Sequence, residues 1–496
     1  MKVACGLNAV LVATTLATVL AGCSVGPDFH RPDIATGERY TRESLPQSTD
    51  ATPVPGGAAQ HWALGQEVSA QWWTAFNSPA LNALVKEALH ANPDVQAAQA
   101  ALRQAQDLVA AQRGFFVPTL QASYAPSRQK NPVGTLAPTL SSGAPIYNLH
   151  TAQLSVGYSL DVFGGNRRAV EALLGQEEAQ RFQLEATYLT LSTNVVVAAI
   201  QEAALRAQIS ATERMITLEQ EQMQILNREV ELGAIAASDA TAQEVLLAQT
   251  MAQLPPLRKQ LALQRDALSA LLGRLPAQEP DPVFELSGFE LPTELPLSLP
   301  ARIVEQRPDV RAAQAQMQAA SANVGVAIAN MLPQISLQAS LGGTATSFGQ
   351  MFAAGNKFWT AGASLSQTVF AGGTLFHRER AAVDALDQAG AQYRGAVITA
   401  FQNVADTLHA LEFDAQALKA NADAEHSAQR SLAYAQKAHE LGSVSYLALL
   451  NAEQTYQQAV INRVQAQASR YTDTAALFQA LGGGWWNREP EEPAKR

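Results

Sequence analysis

The sequence predicts a mainly α-helical fold that carries a membrane β-barrel, built as two internal repeats. Three observations predict it. The phrase "ANPDVQAAQAALRQAQDLVAAQRGFFVPTL" from residue 91 returns as "QRPDVRAAQAQMQAASANVGVAIANMLPQI" from residue 306, each stopping at a proline, Pro118 or Pro333. Two uninterrupted helical stretches of nearly equal length follow the two phrases, and four short segments alternate apolar with polar residues.

At 496 residues the chain exceeds one ordinary core. Charged residues make up 16%, and 44 acidic against 34 basic side chains leave −10, which argues against a nucleic-acid partner. Aromatics are 6%, while Ala, Gln and Leu crowd the middle of the chain, a composition of long helices packed through small residues.

Residues 1–22, "MKVACGLNAVLVATTLATVLAG", place Lys2 before an apolar run and end in small residues, the form of a secretory signal peptide. The only cysteines are Cys5 inside that segment and Cys23 at its end, so an exported chain has no disulfide to rely on. Beyond Cys23 no run of about 18 apolar residues occurs, so a membrane is reached by lipid or by β-barrel.

Residues 23–80 read as an extended N-terminal arm rich in Pro, Gly, Thr and Ser, closing on Trp72-Trp73. The first repeat occupies 81–273. Its opening helix, 81–115, is stopped by Pro118, which forces the preceding residue extended. Strands at about 117–126 and 152–161 then alternate Leu120, Ala122, Tyr124 and Leu154, Val156, Tyr158, Leu160 against Gln, Ser, Thr and Gly.

The second repeat, 301–481, does the same with a helix at 301–331 and strands at about 333–342 and 358–368. Long helices are expected over 166–232 and 374–441, each about 100 Å at 1.5 Å per residue. In the latter, Val397, Phe401, Val404, Leu408 and Leu411 step by four and three, a coiled-coil seam.

Both long helices end alike, in "ELGAIAASDATAQEVL" and "ELGSVSYLALLNAEQT". Gly233 and Gly442 suit the residue just past a helix end, and Ser238 or Asp239, and Ser445, suit the next N-cap. Helices 238–272 and 445–481 return, so that two short helices stacked end to end match one long one and four equal columns stand side by side. Pro255-Pro256 predicts a kink or break in the first returning helix, where the second copy has Val464-Gln465. Residues 274–300 read as a Pro-rich linker at mid-column, and 482–496 as a C-terminal tail.

Four amphipathic strands cannot close a barrel, and an open edge is not tolerated in lipid. The chain is therefore expected to oligomerise; a dimer would give eight strands and a trimer twelve, and only the larger barrel leaves room for water against the Gln, Ser and Thr faces.

With "LAGCSVGPDFHRP" at 20–32, "WWTAFNSPAL" at 72–81, "NPDVQAA", "RPDVRAA", the two "LG" helix tips and "ALGGGW" at 480–485, the sequence resembles the TolC-like outer-membrane efflux proteins, in their NodT-type lipoprotein branch. The resemblance covers essentially the whole chain. It implies a homotrimer whose 12 strands form one barrel and whose 12 helical columns form a periplasmic tunnel. It implies as partners a periplasmic adaptor (membrane fusion) protein, an inner-membrane pump of RND type and outer-membrane lipid, and no cofactor.

By the same resemblance, "LAGC" is a lipobox whose Cys23 carries N-palmitoyl and S-diacylglycerol groups, and Ser24 lacks the Asp that retains lipoproteins in the inner membrane. The tips, with Gly233, Ser238, Asp239, Gly442, Ser445 and Asn451, match the aperture and adaptor contact. Asp239 either joins a ring of carboxylates in the constriction or serves as a first-turn acid on the helix dipole. Asn451 stands where many relatives carry Asp, and Glu244 and Glu453 are weak substitutes one turn beyond.

The eight histidines show no metal-ligand spacing, no Walker-type loop occurs, and no catalytic group of residues can be singled out, so no enzyme is expected. A duct for type I protein secretion has the same shape as an efflux duct, and a structural periplasmic coiled-coil lipoprotein is the other rival reading. Neither substrate nor pump class is written in the pore-lining residues.

Overall fold

A computed structural model describes residues 24–32, 37, 39–130, 146–278 and 282–488. The signal segment, Cys23, residues 131–145 of the first hairpin loop and the last eight residues lie outside the described residues. In chain order the elements are β1 (His61–Leu64), α1 (Pro79–Ala91), α2 (Pro93–Arg113), β2 (Thr119–Lys130), β3 (Ile146–Leu160), α3 (Gly165–Glu231) and α4 (Ala237–Leu271). The second half continues with β4 (Glu294–Leu297), α5 (Pro300–Gln306), α6 (Pro308–Ala329), β5 (Gln334–Ala345), β6 (Lys357–Ser366), α7 (Thr374–Glu440) and α8 (Tyr446–Ala480).

The chain divides into two compact units. The first comprises residues up to Pro32, Leu102–Gln180 and Ala313–Tyr393. Its centre is one antiparallel sheet in the order β2-β3-β5-β6. Val117, extended before Pro118, turns the chain from helix into β2. β3 starts at Ile146, earlier than alternation suggested, because pairing with β2 carries on to Lys130 and Ile146. Beside the sheet, α3 and α6 pack closely: a Cβ on Gly175 would lie 2.9 Å from the Ala315 carbonyl oxygen.

The second unit comprises Asp33–Ala101, Arg181–Ala312 and Arg394–Arg496. Here the repeated phrase acquires a physical meaning. The helices expected as single pieces over 81–115 and 301–331 each break at the residue before a proline, Asn92 (φ −63°, ψ 129°) and Arg307 (φ −79°, ψ 125°). Proline Cδ pushes the preceding residue out of the helical region. Each break then serves the returning helix of its own half. Asn92 Nδ2 donates to the Leu271 carbonyl at 2.9 Å, and Arg307 Nη1 donates to the Ala480 carbonyl at 3.1 Å. Both donate to orphan carbonyls of the kind that every helix C-terminus leaves. The glycines that follow sit against the other side of the break: a Cβ on Gly273 would lie 2.7 Å from the Ala91 oxygen, and one on Gly482 2.8 Å from the Gln306 oxygen.

Two further expectations need correction, and the arm and the linker gain a detail. Pro255-Pro256 does not interrupt its helix; α4 runs unbroken through both. The two prolines face solvent, where water serves the freed carbonyls, while Leu246 and Thr250 on one side and Leu268 on the other are buried and anchor the helix on both sides of them. The extended arm and the Pro-rich linker meet: β1 and β4 pair in parallel, His61 opposite Glu294. Strands of four residues leave no periodicity for a sequence pattern to reveal. Finally, Ser238 and Asp239 do not cap α4; Ala236 does, with Ser238 and Asp239 in the first turn.

Aromatic packing closes this unit. Trp72, 1% exposed, stacks on Phe478 at 5.3 Å and meets Phe76 edge-on at 6.4 Å, while Trp485 lies 5.5 Å from Phe182. Arg470, fully buried, donates to the Gly56 and Ala58 carbonyls and to Thr49 Oγ1, which fixes the arm to α8. Of the expected seam in α7, Val397, Val404, Leu408 and Leu411 are buried and the Phe401 ring lies 5.6 Å from Tyr40. One 18-residue window of α3 reaches a mean hydropathy of 1.2, but 61% of it is buried by protein, the behaviour of a packed helix.

Truncating Arg307 leaves a buried carbonyl without its donor. Arg307→Ala should destabilise the second unit by about 1–3 kcal/mol, read as a lower urea midpoint at unchanged slope, and Arg307→Lys should recover only part of the loss.

Candidate functional site: the amphipathic sheet and the helical tips

In the four-stranded sheet the register sorts side chains by polarity. β2 and β3 place Leu120 opposite Val156 and Ala122 opposite Leu154; β3 and β5 place Leu154 opposite Leu341 and Tyr158 opposite Leu337; β5 and β6 place Leu341 opposite Trp359 and Ile335 opposite Leu365. Alternate residues form the other face, with Gln121, Ser155, Ser340 and Thr360 in one row. A slip by one residue would mix the faces, so the apolar pattern locks the register.

The polar face is also bonded across strands. Ser336 and Ser364 hydroxyls lie 2.7 Å apart, Ser340 and Thr360 2.7 Å, and Thr151 and Thr344 3.0 Å. The apolar face is bare: Leu120 is 71% exposed, Leu341 60%, Trp359 74% and Leu365 69%. A contiguous apolar patch of this kind on a sheet whose other face is hydroxylated is the pattern of a strand wall between lipid and water. Both β2 and β6 end the strand order, so among the described residues each has one unpaired edge within the chain.

At the other candidate site, the helical tips, each long helix ends in the same way. Gly233 (φ 70°) donates to the Val230 carbonyl and Ala234 to that of Glu229; Gly442 (φ 69°) donates to His439 and Ser443 to Ala438. These are paired Schellman turns, which need a left-handed residue. Nothing lies within 4 Å of either glycine's missing Cβ, so backbone conformation alone selects Gly there. Ser445 is the N-cap of α8 in extended conformation, although its hydroxyl makes no capping bond. Ser238 and Asn451 are exposed and Asp239 is half-buried in the first turn of α4.

Behind the tips, Leu226, Ala240, Leu246, Tyr446, Leu449 and Leu450 form one buried cluster that joins the α3–α4 hairpin to the α7–α8 hairpin. A polar thread crosses it. Tyr446 Oη donates to Gln243 Oε1 at 2.5 Å, Gln243 Nε2 donates to the Glu219 carbonyl at 3.3 Å, and Thr250 Oγ1 donates to Glu219 Oε1 at 2.9 Å.

Glu219 and Glu453, 1% and 6% exposed, bring two carboxyls into this apolar setting, and each leaves its Oε2 without a hydrogen-bond partner. Burial, and then the negative charge of Glu219, push the Glu453 carboxyl up to about 7. Burial likewise raises Glu219, against the pull of the Thr250 hydrogen bond. The Tyr446 hydroxyl is raised by burial and by Glu453, Glu219 and Asp239. Three carboxyls thus bear on one junction.

The structure brings Glu453 and Asp239 to that junction and leaves Glu244 and Asn451 on the surface. Glu219 has no signal in the sequence, since it is one of several acids in a helix of 67 residues. Its burial could have been found only by knowing which helix faces which.

A family model described as outer membrane efflux protein matches residues 84–274 and 299–483, the two repeats. The chain is 28% identical over 491 residues to the toluene efflux pump outer membrane protein TtgC of Pseudomonas putida, covering 97% of this chain and 96% of that protein. It is 29% identical over 424 residues to the pyoverdine export outer membrane protein OpmQ of Pseudomonas putida, covering 85% and 89%. Among solved structures, the outer-membrane channel OprN superposes with a TM-score of 0.83 at 26% identity, covering 93% of this chain and all of that one. The Campylobacter jejuni CmeC outer membrane channel superposes at 0.82 with 22% identity, covering 94% and 96%, a likeness of fold. With a sheet built as a strand wall, twin helical tips and a family match through both repeats, the chain has the TolC-like fold and belongs to the outer membrane efflux protein family.

Proposed function

We propose that three copies of this outer-membrane efflux channel join edge to edge, β6 of one copy against β2 of the next, into a barrel of twelve strands. The carrying observation is the sheet itself: four strands sorted into an apolar and a hydroxylated face, with both outer edges unpaired among the described residues. A strand edge in hydrocarbon leaves backbone groups without partners at several kcal/mol each, and no water is there to help. Closure removes that cost, and a barrel of this size encloses an aqueous lumen.

Small organic compounds would pass through that lumen. Its Ser, Thr, Gln and Gly lining supports passive conduction with little discrimination, so selectivity rests with an inner-membrane pump, in our reading of RND type. The two Schellman-turn tips, with Gly233, Ser238, Asp239, Gly442, Ser445 and Asn451, are the aperture and the contact for a periplasmic adaptor. Cys23 carries the lipid anchor.

Reconstituted protein should run as a heat-resistant trimer and give discrete single-channel currents in planar bilayers. A folded trimer that carries no current would sink the duct reading. Asp239→Ala should alter the closed-state conductance, and an unchanged conductance in an intact trimer would remove Asp239 from the aperture.

The buried carboxyls make the tips sensitive to pH. Both are raised above the unfolded value of 4.5, so the stabilisation is complete below about pH 4.5 and fades as pH rises, for Glu453 through about 7. Tip packing should therefore loosen between pH 5 and 8, read as falling protection of α8 amides in hydrogen exchange. Glu453→Gln should flatten that dependence.

A further inference from the structure

Acids outnumber bases 44 to 34 in this chain, yet they stop where the sheet begins. No Asp or Glu occurs between Asp107 and Asp161, or between Asp309 and Glu379, so neither the four strands nor the segments joining them supply a carboxylate. The Lys and Arg side chains on the strands are Arg128, Lys130 and Lys357. β2 starts after α2 and β6 leads into α7, which puts all three at the end of the sheet remote from the helices. Register puts them on the apolar face. Arg128 and Lys130 continue the even positions of Leu120, Ala122 and Tyr124, and Lys357 lies two residues from Trp359. Each is exposed, and none has an ion-pair partner among the described residues.

The same face carries an aromatic shelf at this end. The Tyr124 hydroxyl and His150 Nδ1 lie 2.8 Å apart, with the rings stacked at 6.2 Å. Phe348, from the turn between β5 and β6, crosses over to meet Tyr124 edge-on at 5.7 Å and His150 at 6.5 Å. The turn is fastened to the wall. The Thr344 amide donates to the Asn356 carbonyl at 2.9 Å, and Asn356 Nδ2 donates to the Gln350 carbonyl at 2.8 Å. Any Cβ on Gly343 would collide with the Met351 carbonyl oxygen, so Gly is what lets the turn lie flat. Outward along this face the order is leucines, then rings, then cations, which matches acyl chains, headgroup boundary and phosphate.

We propose that Arg128, Lys130 and Lys357 form a docking surface for the phosphates of outer-leaflet lipid, and that the seam between two copies completes it. This rests on the reading of the sheet as one third of a barrel wall. Arg128 and Lys130 stand two residues apart on one face, about 7 Å, a spacing at which two cations can hold one phosphate by charge-assisted hydrogen bonds. Within the chain three strand spacings, about 14 Å, separate β2 from β6 and keep Lys357 away from that phosphate. With β6 of one copy beside β2 of the next, the lateral separation falls to one spacing, about 5 Å. Closing the wall therefore gathers like charges, which repel unless an anion lies between them. No strand or joining segment carries an acid to serve. On the lipid-facing side the anion at hand is the phosphate of a lipid head, and one held there ties two copies together.

The test reconstitutes the full chain in phosphatidylcholine vesicles that are plain, doped with bisphosphorylated lipid A, or doped with lipid A stripped of both phosphates. Wild type is compared with Arg128→Gln/Lys130→Gln, Lys357→Gln, the triple variant, and Lys259→Gln on the exposed face of α4 as a control for charge alone. Native mass spectrometry counts bound lipid, and the heat-resistant fraction reports the trimer. Wild type and Lys259→Gln should hold the phosphorylated lipid at least ~10-fold more tightly than the stripped one, which is about 1.4 kcal/mol, and gain heat resistance from it. Rising salt should erase both effects. The double variant and Lys357→Gln should each lose most of the preference, and the triple variant little more, because either half disables a shared site. Equal binding of the two lipids by wild type overturns the docking surface, and that comparison needs no variant to fold. An unchanged preference in the triple variant overturns it as well. Losses that simply add overturn the seam. Inorganic phosphate alone giving the same heat resistance in plain vesicles overturns lipid as the source. A wild type that forms no trimer in any vesicle overturns the barrel reading, and phosphate-dependent lipid binding by the single chain then decides for or against the three cations.

Discussion

Every backbone N–H and C=O of a strand in hydrocarbon must find a partner on another strand, and the rest of this protein follows from that constraint. Within the chain β3 and β5 are paired on both sides, while β2 and β6 are paired on one. The remaining edges make the single chain an incomplete object. The sorting of Leu120, Leu154, Leu341 and Trp359 to one face and of Ser and Thr hydroxyls to the other sets the register, and the register sets which edges are left over.

The duplication is a solution to helix ends as much as to strand number. Each half must stop one helix and start another in the middle of packed structure, where orphan amides and carbonyls cannot turn to water. Asn92 and Arg307 answer this at equivalent places with different chemistry, one a neutral amide, the other a cation also held by Asp309 at 2.6 Å and 3.0 Å. The halves share geometry but not electrostatics. The same asymmetry recurs at the tips, where Gly233 and Gly442 make identical turns while the acids behind them, Glu219 and Glu453, come from non-equivalent helices.

Those acids are costly where they stand, since burial disfavours their charged forms and neither has a cation as first cause of its shift. A hydrophobic pair would hold the hairpins together more firmly. Under the proposed aperture reading, carboxyls that disfavour burial lower the cost of parting the two hairpins.

What the sequence determined by itself is the repeat, the two helices of 67 residues, the alternating strands and the glycine turns. All are carried by local periodicity or by one residue's backbone preference, and these act over a few neighbours. Tertiary structure alone decided the break at Asn92 and Arg307 as a paired device, the continuity of α4 through Pro255-Pro256, the β1–β4 pairing, the burial of Glu219 and the hydrogen bonding of Arg168 to Val25 and Asp28. Each depends on a partner far along the chain, and whether a polar group is satisfied, or a helix supported past a proline, is settled by what packs against it.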